Sequence, residues 1–213
     1  MGNNAESNEW HRETITASTE ATLCALRDRS LLGGAYLAGG TGLALYFGHR
    51  LSLDLDFFVK DAFDEEVLLQ RMQAVPEFSL VAKAPQTLHA NILGTKVSFL
   101  GYAYPILFPP SRFLGIPVAD PRDIACMKIS AIASRGTKRD FVDLYVASRR
   151  FGLDEILRLF ARKFFQTGYN RMHILKSLIY FDDAEKDPMP HMLVTLAWDD
   201  VKCLFLDQAP RFV

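Results

Sequence analysis

The sequence lacks the features that would place it in a membrane or in the secretory pathway. It contains no run of about 18 apolar residues, the minimum for a membrane-spanning helix. The N-terminus, MGNNAESNEWHRE, is polar and has no apolar segment of a signal peptide. Glu6 stands where a myristoylation signal needs Ser or Thr. We therefore expect a cytoplasmic protein with no membrane partner and a mobile segment over residues 1 to about 12.

Cysteine is scarce, and neither sign of charge predominates. The three cysteines (Cys24, Cys126 and Cys203) are odd in number, far apart in sequence and without a CxxC pair. This pattern predicts reduced, buried thiols and implies neither a zinc site nor disulfides. The net charge of −1 does not by itself indicate a polyanionic partner. With 49% apolar and 23% charged residues, the 213-residue chain has enough apolar side chains for a sizeable core.

A double glycine followed by a hydroxyl residue (Gly39, Gly40 and Thr41) lies between a short apolar strand and an apolar helix. The first turn of a helix has free backbone N–H groups and the positive end of the helix dipole, which together bind anions. An isolated pair of glycines also serves tight packing alone. In this context the turn is a candidate phosphate-binding site.

Two aspartates, Asp54 and Asp56, follow the glycines, and thirteen residues separate Asp54 from Gly40. Alternate side chains of a strand point to the same face, so both carboxylates project together. On a mostly apolar strand they need either a metal ion or a basic partner such as Arg50 or Lys128. Oxygen ligands suit Mg²⁺. A phosphate-binding turn beside paired carboxylates predicts metal-assisted phosphoryl or nucleotidyl transfer.

The periodicity of apolar residues predicts an α/β (α+β) chain, with a mixed sheet and flanking helices followed by a helical C-terminal half. The predicted strands cover residues 35–38, 53–59, 78–81, 88–93, 96–102 and 116–119. The predicted helices cover residues 14–29, 41–48, 63–75, 121–134, 139–150, 153–165, 170–180 and 191–206. Asp120 and Pro121 form a helix start signal. We expect a first domain at residues 14–119 and a helical region at 120–213 packed on it.

These motifs resemble a known family. Ala38-Gly39-Gly40, with Asp54-Leu55-Asp56-Phe57 after the thirteen-residue spacer, is similar to the signature of the polymerase-beta-like nucleotidyltransferase superfamily. More narrowly, GGTGLALYFGHRLSLDLDFF resembles the first motifs of the AbiEii/AbiGii abortive-infection nucleotidyltransferase toxins, which include an Arg-x-Ser. Lys128, Ala131 and Arg135, with the segment from Lys138 to Leu144, resemble the later motifs. The resemblance spans residues 36 to 145.

The resemblance implies roles for individual residues. The implied catalytic residues are Asp54, Asp56, Lys128 and Asp140. Asp54 and Asp56 would bind Mg²⁺ or Mn²⁺, and Asp140 would orient or activate groups within the site. The residues implied in nucleotide binding are Gly39, Gly40, Thr41, Arg50, Ser52 and Lys128. Arg50 is expected either to pair with an aspartate or to contact phosphate. The alternative for the later motifs is a structural network of Lys, Arg and Asp that pins the helical half to the sheet.

One expected residue of the superfamily is missing. In that superfamily a third carboxylate comes from a later strand. In this sequence the corresponding strand, Lys96 to Leu100, has Ser98 instead. Glu77 is the only acid between Glu66 and Asp120. Three explanations stay open: Asp140 supplies the carboxylate, a single metal suffices, or the site is impaired.

The predicted reaction moves a nucleoside monophosphate from an NTP to an acceptor hydroxyl. The family resemblance implies tRNA as acceptor and a neutralising antitoxin protein as partner. The segment from Arg135 to Lys176 has ten basic and four acidic residues, which suits RNA but also ordinary solvation. A small-molecule nucleotidyltransferase of the antibiotic-modifying kind and a non-catalytic nucleotide-binding protein of the same fold are the alternatives. Oligomeric state is not predicted.

Overall fold

The computed structural model describes residues 9–212. The predictions for residues 1–8, including those on targeting and most of the mobile segment, lie outside the described residues. For residues 9–12 the predicted mobility is wrong. The ring of Trp10 packs 4.6 Å from that of Tyr46 and 5.5 Å from that of Phe113. His11 donates its backbone N–H to Leu45 at 3.0 Å, so this segment is part of the fold.

A seven-stranded mixed sheet forms the centre of the N-terminal half, in the order β3-β4-β5-β2-β1-β7-β6. β2 is parallel to β5 and antiparallel to β1, and β1 is parallel to β7. The strands are β1 (Ala35–Leu37), β2 (Leu55–Val59), β3 (Ser79–Ala84), β4 (Thr87–Ile92), β5 (Thr95–Gly101), β6 (Ser111–Phe113) and β7 (Ile116–Val118). The strand with the aspartates is central, as the sequence predicted.

The predicted mixed α/β fold is confirmed. The helices are α1 (Ala17–Asp28), α2 (Gly39–Phe47), α3 (Glu65–Met72), α4 (Pro121–Ser134), α5 (Lys138–Phe151), α6 (Leu153–Lys163), α7 (Arg171–Ser177), α8 (Asp182–Glu185) and α9 (Trp198–Gln208). Helix starts follow local chemistry. The Thr16 side chain caps α1, and the Asp120 side chain caps α4 with Pro121 in the first turn. Strand β6 and helix α8 are not among the predicted elements.

The predicted helix over residues 191–206 is wrong in its first half, because α9 begins only at Trp198. Met192 instead forms an antiparallel bridge with Arg50. Leu51 donates its N–H to the carbonyl of His191, and Leu193 donates its N–H to the carbonyl of His49, both at 2.9 Å. Backbone groups that a helix would use are therefore bonded to the connection between α2 and β2.

Apolar side chains form separate clusters on the two faces of the sheet and among the helices. Leu55 and Phe57 of β2 pack with α1 and α3 on one face. Leu43 and Ile124 belong to a smaller cluster on the other face. A third cluster, which includes Phe141, lies among α4 to α9. The domain boundary near residue 119 stays a prediction.

The prediction that all three cysteines are buried is wrong for two of them. The three cysteines are free thiols, but only Cys126 is buried, whereas Cys24 is half-buried and Cys203 is exposed on α9. Burial raises the pKa of the Cys126 thiol to about 12, so this thiol is inert near neutral pH. Within residues 9–212, every helix is too short or too polar to cross a membrane.

Candidate active site

The glycine turn brings the first residues of α2 against the aspartate strand. Gly39 has φ +64°, a conformation that favours glycine, and a Cβ there would lie 2.8 Å from Asp56 Oδ2. A Cβ on Gly40 would collide with the Arg50 guanidinium. The two glycines thus allow the backbone at the start of α2, the Asp56 carboxylate and Arg50 to lie together. This is the juxtaposition expected of a phosphate site beside a carboxylate.

The side chain of Thr41 forms hydrogen bonds within the protein. It is buried, donates to the Asp54 carbonyl and lies 2.8 Å from Ser52 Oγ. Ser52 is buried too. These hydrogen bonds tie the turn to the residues just before β2, so they fix the position of Asp54 relative to the start of α2. The nucleotide-binding roles of Thr41 and Ser52 stay predictions.

The two aspartates lie at the start of the central strand. The burial pattern of β2 alternates, with Leu55, Phe57 and Val59 buried and Asp56 half-exposed. Asp54 comes one residue before the strand, and its side chain is 42% exposed. The expected basic partner is neither Arg50 nor Lys128. It is Arg139 at the start of α5, whose Nη1 lies 3.6 Å from Asp54 Oδ2.

Arg50 and Lys128 belong to a buried network that links the α2–β2 connection to α4 and α5. Arg50 Nε and Nη2 donate to the two oxygens of Asp143 at 2.7 and 2.8 Å. Lys128 Nζ lies 2.7 Å from Asp143 Oδ2 and 2.8 Å from Asp140 Oδ1. His49 Nε2 lies 2.8 Å from Asp143 Oδ1. This composition agrees with the alternative given for the later motifs, a structural network of Lys, Arg and Asp that pins the helical half to the sheet.

Asp140 is enclosed by donors. Besides Lys128, it accepts from Arg135 Nε at 2.9 Å and from Thr137 Oγ1 at 2.6 Å. Burial opposes ionisation of this carboxyl, but the charge of Lys128 and the hydrogen bonds of Arg135 prevail and lower the pKa of Asp140 to about 2. The guanidinium of Arg135 remains half-exposed, and it interacts electrostatically with Asp56 of β2.

Asp143 and Lys128 are held in their charged forms in the same way. Burial would favour neutral Asp143, yet Lys128 and Arg50 lower the pKa of Asp143 well below its ordinary value. Burial likewise disfavours the Lys128 ammonium, but Asp143 and Asp140 raise its pKa. Carboxylates and an ammonium group that are paired this closely stay ionised near neutral pH. The catalytic roles of Lys128 and Asp140 stay predictions.

Ser98 lies opposite Asp56 in the register of β2 and β5. This is the strand on which the sequence placed the missing carboxylate. On the next strand, His89 lies opposite Ser98, and its Nδ1 is 3.0 Å from Ser98 Oγ. Both side chains are half-exposed.

The structure brings most of the predicted residues to one place, and it adds three that the sequence did not assign. Asp143 pairs with Arg50 and His49, and Arg139 pairs with Asp54, in each case across a long stretch of sequence. The one local signal was the i, i+3 spacing of Asp140 and Asp143, which predicts a shared helix face. Nothing in the sequence indicates which residue of the first half meets that face.

Comparison with known proteins supports the same identification. The family described as "Nucleotidyl transferase AbiEii toxin, Type IV TA system" matches residues 22–112 and 97–211. A curated relative, the uncharacterized protein aq_aa25 of Aquifex aeolicus (strain VF5), is 37% identical over 184 residues, which are 84% of this chain and 87% of the relative. These matches extend well beyond the glycine and aspartate motifs.

Solved structures show the same fold. The crystal structure of JHP933 from Helicobacter pylori aligns with a TM-score of 0.54 and 17% identity, covering 91% of this chain and 89% of that one. The crystal structure of ANT(2'')-Ia in complex with adenylyl-2''-tobramycin aligns with a TM-score of 0.50 and 14% identity, covering 72% of this chain and 100% of that one. Together with the sequence matches, these findings show that the chain belongs to the AbiEii nucleotidyltransferase toxin family.

Proposed function

We propose that the cleft between the glycine turn and β2 transfers a nucleoside monophosphate from an NTP to an acceptor hydroxyl. Nucleotidyl transfer is the activity of the family. The observation that carries the assignment to this cleft is the contact between Gly39 and Asp56. The free N–H groups at the start of α2 attract a polyphosphate to the place where two carboxylates favour a cation.

Asp54 and Asp56 are the residues that would hold a divalent metal. Across residues 9–212, no cluster of three or more His, Cys, Asp or Glu side chains is arranged to hold a metal ion. The donor set is therefore two carboxylates, which fits Mg²⁺ because this ion keeps several waters and takes phosphate oxygens as further ligands. When bound, the ion would neutralise charge on the transferred phosphoryl group.

The triphosphate would lie between the start of α2 and the start of α5. Arg139 and Arg135 have half-exposed guanidinium groups there, and both can turn toward a phosphate. Arg139 already contacts Asp54, so a cation at the aspartates would release it for the phosphates. Lys128 of α4 is enclosed between Asp140 and Asp143 of α5, and in this position it balances the charge of Asp143, the aspartate that pairs with Arg50.

Catalysis in this arrangement consists of positioning and charge neutralisation. The buried network fixes the α2–β2 connection against α5, so the glycine turn and Arg139 keep their spacing. Such preorganisation contributes several kcal/mol in phosphoryl transfer, of the order of 7 kcal/mol where alignment is good. The residues that surround the cleft thus act mainly by geometry.

For the acceptor we propose a tRNA-type RNA, with a neutralising antitoxin protein as the cellular partner. The support is the toxin description of the family and the basic residues of the helical half. Several of those residues are exposed on α5 and α6, including Arg149, Arg150 and Arg158. A small-molecule acceptor has a precedent in ANT(2'')-Ia, whose structure contains adenylyl-2''-tobramycin.

The test is to incubate the purified chain with Mg²⁺ and each α-³²P-labelled NTP, with bulk tRNA in one arm and tobramycin in another. Transfer of label to tRNA by the intact protein, and not by Asp56→Ala, supports the proposal. Glu66→Ala serves as a matched control, because Glu66 is exposed on α3. Label on tobramycin alone would identify a small-molecule enzyme. NTP binding with no transfer to either acceptor would indicate a non-catalytic protein.

A further inference from the structure

A row of three polar side chains crosses the open face of the sheet beside the predicted metal ligands. Asp56 lies opposite Ser98, and Ser98 lies opposite His89. Residues opposite each other on neighbouring strands point to the same face, with Cβ atoms about 5 Å apart. All three are half-exposed, whereas their neighbours along the strands, such as Leu88 and Val97, are buried. A substrate in the cleft can therefore reach the whole row.

Ser98 orients the imidazole of His89. Its Oγ lies 3.0 Å from His89 Nδ1. If Nδ1 carries the hydrogen and donates it to Ser98, then Nε2 keeps a free lone pair and can take up a proton. Two strand spacings separate His89 from Asp56, about 10 Å between backbones, which leaves room for a hydroxyl group between the imidazole and a cation at the aspartates.

Asp140 is the acid that could otherwise accept the proton of the acceptor hydroxyl, but it is not free to do so. Asp140 is fully buried and bonded to Lys128, Arg135 and Thr137. A carboxylate whose oxygens are bonded to cations and a hydroxyl is a poor proton acceptor near neutral pH. A nucleotidyl transfer to a hydroxyl still requires that the hydroxyl lose its proton.

We propose that His89, positioned by Ser98, takes the proton of the acceptor hydroxyl, in place of the carboxylate that β5 lacks. The inference rests on the nucleotidyl transfer proposed above. The acceptor oxygen bonds to the α-phosphorus while its hydrogen passes to His89 Nε2. The bond between the α-phosphorus and the bridging oxygen breaks, and pyrophosphate leaves with that electron pair. The imidazolium then returns its proton to solvent.

Several charged groups face this imidazole from the neighbouring strands. Asp56 lies on β2 beyond Ser98, and Lys96 shares the face of Ser98 on β5. On β3, Ala82 lies opposite His89, and the adjacent Lys83 is paired with Glu66 of α3. A cation and a triphosphate at Asp54 and Asp56 add further charges of opposite sign.

The experiment measures label transfer from NTP to bulk tRNA by the full chain, with Mg²⁺, from pH 5 to 9. Two variants, His89→Ala and His89→Gln, are expected to lower kcat by about 10²-fold or more, with the KM for NTP within about twofold of the wild-type value. The fall of kcat at acidic pH should disappear in both. Added imidazole should restore part of the activity of His89→Ala. His173→Ala, which alters an exposed histidine on α7, should match the wild type.

The outcomes separate this inference from the proposed function. If wild-type protein transfers label and His89→Gln transfers it at the same rate and with the same pH profile, the role of His89 is wrong. Loss of NTP binding in both His89 variants, with no rescue by imidazole, would also overturn it, because His89 would then be structural. If wild-type protein binds NTP but transfers no label, the proposed function fails, and the inference with it.

Discussion

Arg50 and Asp143 form a buried ion pair with two parallel hydrogen bonds, although they are far apart in the sequence. Arg50 Nε lies 2.7 Å from Asp143 Oδ1, and Nη2 lies 2.8 Å from Oδ2. Arg50 borders the glycine turn, since a Cβ on Gly40 would meet its guanidinium. Asp143 is in the middle of α5. The pair therefore joins the glycine turn directly to the helical half.

Asp143→Asn should destabilise the protein strongly. The substitution leaves Arg50 and Lys128 buried with one charge fewer to balance them. Breaking a buried ion pair in this way costs about 3–5 kcal/mol. Thermal unfolding followed by circular dichroism should show a midpoint lower by roughly 10 °C for a chain of this size. The control, Asp154→Asn, removes an exposed partner of Arg158 and should leave the midpoint unchanged. Equal midpoints for the two variants would contradict the structural role of the network.

Gly39→Ala should weaken NTP binding more than it weakens the fold. At φ +64° an alanine costs about 1–2 kcal/mol, and its Cβ would press against Asp56 Oδ2 at 2.8 Å. The side chain would also occupy the space over the first turn of α2. We expect at least a tenfold rise in the Kd for Mg²⁺-NTP, measured by isothermal titration calorimetry. Gly33→Ala is the matched control because a Cβ at Gly33 has no neighbour within 4 Å. Similar binding by both variants would place the triphosphate elsewhere.

Stability should depend on pH through Asp140. Its pKa is lowered from the ordinary 3.8 to about 2, so the unfolded chain binds more protons than the folded protein between these values. The stabilisation is complete above about pH 4 and is lost as the pH falls through about 2, and it amounts to about 2 kcal/mol. Urea unfolding at a series of pH values should show a shallower acid dependence for Asp140→Asn than for wild type. Parallel curves would assign the acid sensitivity to other groups.

Arg139→Gln should impair NTP use without destabilising the protein. Arg139 is 51% exposed and contacts Asp54 at 3.6 Å, so its removal leaves the buried network intact. If it turns to the triphosphate, the loss of a charged hydrogen bond should raise the KM for NTP about tenfold or more. Arg29→Gln, which alters an exposed arginine just after α1, is the control. An unchanged KM in steady-state transfer assays would restrict Arg139 to pairing with Asp54.

Local signals in the sequence were sufficient to place six of the seven strands, including the aspartate strand. The alternation in LSLDLDFFV predicted which side of β2 is buried, because a strand exposes every second side chain. Asp120 and Pro121 predicted the start of α4. The resemblance to the family predicted the candidate site residues of the helical half. Lys128 and Asp140 were chosen from motif positions rather than from periodicity.

Pairings between distant segments could not be predicted from the sequence. Arg50 could meet any acid of the helical half, and only the packing of α5 selects Asp143. Residues 191–197 read as the start of a helix, yet the backbone of residues 191–193 bonds to residues 49–51 instead. No local motif distinguishes His89, because its relation to Asp56 depends on two successive strand registers.

The bridge between Arg50 and Met192 has a consequence for the synthesis of the protein. The connection that carries Arg50 and leads into the aspartate strand receives backbone partners from His191 to Leu193. A nascent chain can form the sheet early, but this connection stays without those partners until the ribosome has passed Met192. Such an arrangement delays completion of the candidate site until the helical half up to Leu193 has been synthesised.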